Sequence, residues 1–164
     1  MTETERRARE WLGRLAGEWT YEFEGDAEPG GATVKDRGSE RARSLGGLWM
    51  LCEAKGEPTE GGSAATDSVL TLGFDSARQR FVGTFVGSMS DYLWIYEGEL
   101  DAAGRVLTLA TEGPSFTGDG SMGQYRDTIE LDAHGARVMT SSFRRSDDTY
   151  QTFMRMRYQR AAGR

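Results

Sequence analysis

Apolar and polar residues alternate with a period of two along most of this chain, and short turn-forming clusters break the alternation at regular intervals. Trp19, Tyr21 and Phe23 alternate with Thr20, Glu22 and Glu24, the pattern of a strand with one buried face. After the turn Glu28-Pro29-Gly30-Gly31, residues 33–43 set Val34, Asp36, Gly38, Glu40 and Ala42 on one parity and Lys35, Arg37, Ser39, Arg41 and Arg43 on the other. Gly46-Gly47 turns the chain into 48–55, and a loop rich in Gly, Thr and Ala covers about 56–66. Further strands are expected at 67–74, 80–89, 92–101, 105–112, 124–132, 136–144 and 149–159, joined by polar hairpin connections. Before all of these, Ala8, Trp11, Leu12 and Leu15 repeat at helical spacing. Thr2 with Glu5 predicts a capping box there, and Gly17 a stop.

About ten strands in hairpin series describe an up-and-down antiparallel meander. A sheet of that size with one apolar face must close on itself or split into two packed layers. The expected fold is therefore all-β: a calycin-like barrel of about ten strands in a single domain, 1–164. Its helix would occupy about 3–16 and its barrel about 17–160. A flattened sandwich is the alternative.

Composition narrows the function classes. The chain has 26 acidic and 20 basic residues, for a net charge of −6, which disfavours nucleic acid and anionic membrane surfaces. No apolar run is long enough for a membrane helix or a secretory signal, so a cytoplasmic location is expected. One cysteine and one histidine leave no disulfide framework and no Cys/His zinc site within the chain.

Five short motifs occur in order: L-A-G-E-W at 15–19, L-G-G-L-W at 45–49, L-G-F-D at 72–75, G-T-F-V-G-S-M at 83–89 and Y-E-G at 96–98. With Arg126 and the ending Tyr158-Gln159-Arg160, the chain resembles an uncharacterised bacterial family of lipocalin-like barrels carrying a domain-of-unknown-function label. The resemblance covers about the whole chain and implies the barrel, with no reaction attached. Phe85 stands where that family tends to have tryptophan, Gly87 where it tends to have aspartate, and Arg9 where a histidine is common.

Little of the chain carries obvious chemistry. His134 sits in D-A-H-G-A between two strands, the place of an exposed turn residue. Cys52 has no local cation to lower its pKa and reads as packing. No serine sits in a nucleophile elbow, and G-D-G-S-M-G at 118–123 lacks a phosphate loop's ending and suits a loop at a barrel mouth. The acidic residues on apolar faces are more informative. Asp127 shares parity with Tyr125, Ile129 and Leu131, and Glu40 with Val34 and Ala42. A buried carboxylate needs a partner or a raised pKa, and Arg144 is the expected partner. Either a structural ion pair or a polar anchor in a ligand cavity answers the requirement.

Trp19, Tyr21, Phe85, Trp94, Tyr96, Tyr125, Met139 and Met154 complete the expected lining of a largely apolar interior. Segments 48–54, 81–86 and 92–96 are apolar on both parities, more than one short helix can cover, which predicts a homodimer through the outer wall. The expectation is a small-molecule binder that takes an apolar ligand, with no cofactor and no metal. A cofactor-free isomerase or cyclase of a hydrophobic metabolite and a homodimeric interaction module with a filled core are the alternatives.

Overall fold

A computed structural model describes residues 1–26, 30–59 and 64–161. Part of the predicted turn (Glu28 and Pro29) and part of the predicted 56–66 loop (60–63) lie outside these residues. Helix α1 spans Glu3–Gly13. Ten strands follow: β1 Gly17–Asp26, β2 Thr33–Leu45, β3 Trp49–Gly56, β4 Thr66–Asp75, β5 Arg80–Gly87, β6 Ser90–Leu100, β7 Val106–Pro114, β8 Met122–Leu131, β9 Arg137–Arg144 and β10 Tyr150–Arg160. Each pairs antiparallel with its neighbours in sequence, and β1 also pairs with β10, so the sheet is a closed barrel rather than a sandwich. Closure leaves no edge strand exposed.

The helix plugs one end of this barrel. Thr2 caps it by accepting a hydrogen bond from the Glu5 amide at 3.0 Å, and the stripe of Ala8, Trp11 and Leu12 is buried, with Leu15 beyond it. Trp11 meets Phe81 edge-on at 5.9 Å. Arg7 and Arg14 donate to the Ala102 and Asp132 carbonyls in two turns at the same end, each at 2.7 Å. The helix stops at Gly13, earlier than the predicted stop, and Gly17 opens β1 instead with φ of +130°. Because β1 begins at the plugged end, that end also receives the β2–β3, β4–β5, β6–β7 and β8–β9 turns. We call it the floor and the other end the mouth.

Near the floor the interior is solid. Trp19, Leu72, Leu107, Leu109 and Ile129 are all 0% exposed. Toward the mouth the inward side chains are only half-buried: Phe23, Phe85, Trp94, Phe143, Phe153 and Met154.

The outer wall carries two of the five short motifs. Trp49 points outward and lies across Gly73, its partner on β4, where an added Cβ would sit 2.4 Å from the indole. L-G-G-L-W and L-G-F-D are thus one contact. The helix, seated at the floor, leaves this wall open: Ile95 is 64%, Leu93 49%, Val86 45% and Trp49 40% exposed.

Candidate functional site

Among the described residues the acidic side chains of Glu40 and Asp127 are fully buried inside the barrel, and each is held by a residue from a strand that does not pair with its own. On β2, the inward parity that contains Gly38 and Ala42 carries Glu40 into the floor half. Its carboxylate takes both arms of Arg137, from β9, in a forked ion pair whose longer contact is 3.2 Å. The guanidinium reaches over the Tyr158 ring at 3.8 Å and near the Trp19 ring at 5.3 Å, so the pair spans β10 and β1. Cys52 lies close enough that burial, then the Glu40 charge, push its thiol up to about 12, which makes it inert packing.

The predicted partner of the acidic residues was Arg144, and this is corrected. Arg144 faces outward at the mouth end of β9 and pairs with Asp148 at 2.6 Å. Arg137, Met139 and Ser141 hold the inward parity of that strand. The strand is apolar on both parities (Val138 and Met139), so alternation alone could not choose a face. Nor does a charged residue such as Arg137 read as core.

Among the described residues Asp127 has no cationic partner. From β8 it points into the half of the interior nearer the mouth, where the Tyr96 hydroxyl donates to it at 2.5 Å and Ser141, opposite on β9, hydrogen-bonds to it. Burial raises its pKa and these two hydrogen bonds only partly oppose that. The Tyr96 phenol is pushed well up, first by burial and then by the Asp127 charge. The contact also closes a seam. Pairing between β6 and β7 runs from Leu100–Leu107 only as far as Glu97–Ala110. Above it the strands are joined by side chains, with Thr111 donating to the Ile95 carbonyl at 2.7 Å and Tyr92 to the Glu112 carbonyl at 2.9 Å. Trp94 fills the gap against Gly113, where an added Cβ would sit 2.0 Å from the ring.

Asp36 is a further inward carboxyl group, one that alternation did not single out. It occupies the same inward parity of β2 as Glu40, one turn of the pleat nearer the mouth than Gly38, opposite Phe23. One of its carboxylate oxygens is buried without a hydrogen-bond partner. Tyr21 below it has its hydroxyl raised by burial, and then by the charges of Glu40 and Asp36. The clue was present, since Asp36 and Glu40 share the parity that singled out Glu40.

Aromatic rings cluster at the mouth. Trp94 and Tyr125 pack edge-on at 5.2 Å, and Phe116, from the glycine-rich loop between β7 and β8, meets Tyr125, Phe143 and Phe153 at 5.8, 5.6 and 5.0 Å. That loop is held by Asp119, which accepts from Thr117 and Ser121 and whose carboxyl is lowered to about 2 by those hydrogen bonds.

The predicted site residues therefore divide. Trp19 and Glu40 belong to the solid floor half, Tyr21 and Met139 lie between the halves, and Phe85, Trp94, Tyr96, Tyr125, Asp127 and Met154 line the half under the mouth. His134 is exposed in the β8–β9 turn, where its amide donates to Asp132.

No curated protein matches the chain. Among solved structures, a redesigned beta barrel is similar over 95% of this chain and 96% of its own, at 12% identity and a TM-score of 0.46. A family model matches residues 4–160. The chain belongs to the family described as protein of unknown function DUF1579.

Proposed function

We propose that this protein binds a small, largely apolar molecule in the half of the barrel under the mouth. The observation that carries this reading is the contrast within one interior: a sealed floor half beneath a half lined by partly exposed aromatic and methionine side chains. Small-molecule sites are commonly built this way, with apolar walls and a few convergent polar groups. Phe85, Trp94, Tyr125 and Met154 would bury the ligand, Asp127 and Tyr96 would orient its polar end, and Phe116 would fold over it.

Comparison of native and denaturing mass spectra of freshly purified protein tests this reading. The expected result is an added small mass under native conditions that is lost on denaturation and retained less by Trp94→Ala. An unladen protein whose melting temperature is also unmoved by a panel of apolar compounds would sink it.

A second reading concerns assembly and rests on a separate observation. Trp49, Val86, Leu93 and Ile95 form an exposed apolar stripe on the outer wall. It borders a groove of about 590 Å³ lined by Thr71, Val82 and Thr84. Of the charges beside it, Arg78 and Arg80 pair with Glu97 at 3.0 and 3.3 Å, and Glu112 sits exposed at the groove's edge. A wall that is apolar and largely neutralised by its own ion pairs suits a second copy of itself, the isologous contact of a two-fold dimer. Sedimentation velocity should give a dimer that Ile95→Glu converts to monomer; a wild-type monomer at tens of micromolar would reject it.

A further inference from the structure

We infer that the ligand of this barrel carries a positive charge: a hydrophobic amine, drawn by the inward carboxyl groups of Asp127 and Asp36 and packed against the aromatic cluster at the mouth. The inference rests on the binding reading above and adds the ligand's chemical class. It starts from an imbalance of charge between the two halves. Glu40 has its own cation in Arg137. The half under the mouth holds two inward carboxyl groups, Asp127 and Asp36, and among the described residues no lysine or arginine turns inward there. Lys35, Arg37, Lys55, Arg126, Arg144 and Arg155 all face solvent.

The acceptor capacity of these groups is only partly used. An ionised carboxylate offers about four lone-pair sites. Asp127 takes one hydrogen bond from Tyr96 and one from Ser141. Asp36 keeps a buried oxygen that nothing donates to. Both side chains therefore retain acceptors directed inward, and neither has a neighbouring group that could neutralise a bound anion.

The walls favour the same charge. The face of an aromatic ring is electron-rich, and a cation near it is attracted in proportion to how far water is excluded. Trp94, Tyr125, Phe116, Phe143 and Phe153 form a continuous cluster on the β6–β10 side of the mouth, mostly in edge-to-face contacts whose ring planes point in different directions. Tyr125 lies two positions from Asp127 on the same strand face, about 7 Å along the strand. An alkylammonium head at Asp127 would thus have its tail among these rings. A carboxylate or phosphate ligand would meet two acidic groups, and a neutral ligand would leave both without a counter-charge.

Three probes of one size and different charge test the inference: 2-naphthylmethylamine, 2-naphthylmethanol and 2-naphthoate, titrated calorimetrically into the full chain at pH 7.5. The amine should bind at least about tenfold more tightly than the alcohol, the scale of one hydrogen bond to a charged group, and naphthoate should bind weakest. Asp127→Asn should remove most of the amine's advantage while leaving the alcohol's affinity in place, and Asp36→Asn should remove part of it. If Asp127→Asn does not fold, Asp36→Asn and the ranking of probes on the wild type still decide. Alcohol or naphthoate binding as well as the amine would overturn the charge assignment and leave the chamber standing. Failure of all three probes to bind would overturn the chamber, and the inference with it.

Discussion

The floor half and the mouth half of this barrel each bury a carboxyl group, and they accommodate it in opposite ways. Glu40 is met by the fork of Arg137, stacked over Tyr158, among fully buried core side chains. Asp127 is met only by hydroxyls, beneath a mouth whose lining remains half-exposed. A buried ion pair seldom adds stability over an apolar replacement, but breaking one is costly because it strands a charge. A buried carboxyl without a cation is disfavoured when ionised, so its pKa rises. One arrangement fixes register across four strands. The other stores unused acceptor capacity at the place a ligand would enter.

The largest effect expected from this contrast is at Glu40. Glu40→Gln leaves Arg137 buried without its counter-charge and should cost about 3–5 kcal/mol, or roughly 10 °C in Tm for a domain of this size. The double change of Glu40→Leu with Arg137→Met should recover most of that loss in the same melting experiment. Recovery would mark the pair as a register device rather than a source of stability.

Gly113→Val comes next. Its side chain would take the space of the Trp94 ring, and overpacking of this kind costs about 1–3 kcal/mol. The near-ultraviolet circular dichroism of the variant should change with Tm, because Trp94 must leave the β6–β7 seam.

Asp127→Asn should be smaller and opposite in sign. The folded-state pKa of Asp127 is raised above 3.8, so the folded protein holds this proton more tightly than the unfolded chain does. Stability from this group is therefore fully present below the unfolded pKa and lost as pH rises through the raised one. Asparagine does not titrate, so the variant should match or exceed the wild type at pH 7, by less than about 2 kcal/mol, and the gap should close toward pH 4. Urea unfolding at the two pH values measures it. A large loss at pH 7 would place Asp127 with Glu40 as a structural group.

The smallest expected effect is none at all. Cys52, buried with its thiol at about 12, should stay unmodified by a disulfide reagent in the native protein and react only after unfolding.

The strand count, the meander order and the N-terminal helix were legible because alternation and turn residues are local signals. The seating of the helix follows from them: a helix three residues before β1 must lie at the end where β1 begins. The long-range pairings were not legible. Glu40 and Arg137 are 97 positions apart, and nothing in either strand's pattern says that β2 and β9 face each other across two intervening strands. Arg137 was hidden by being a charged residue on the buried parity of a strand with valine on its other face. Tyr96 was placed among the aromatic residues, but its bond to Asp127 bridges a seam that exists only once β6 and β7 diverge. Asp36 differed, since its parity with Glu40 was readable and only its unpartnered oxygen needed coordinates.

The four tryptophans report on different regions: Trp11 and Trp19 on the floor, Trp49 on the outer wall and Trp94 at the mouth. Their indole N–H resonances, assigned by single Trp→Phe changes, can be followed by 1H–15N NMR while 2-naphthylmethylamine is added. The account predicts that Trp94 shifts with saturation while Trp11, Trp19 and Trp49 stay in place. A titration that moves Trp49 and leaves Trp94 untouched would put the binding surface on the outside of the barrel and contradict the division of labour between its two halves.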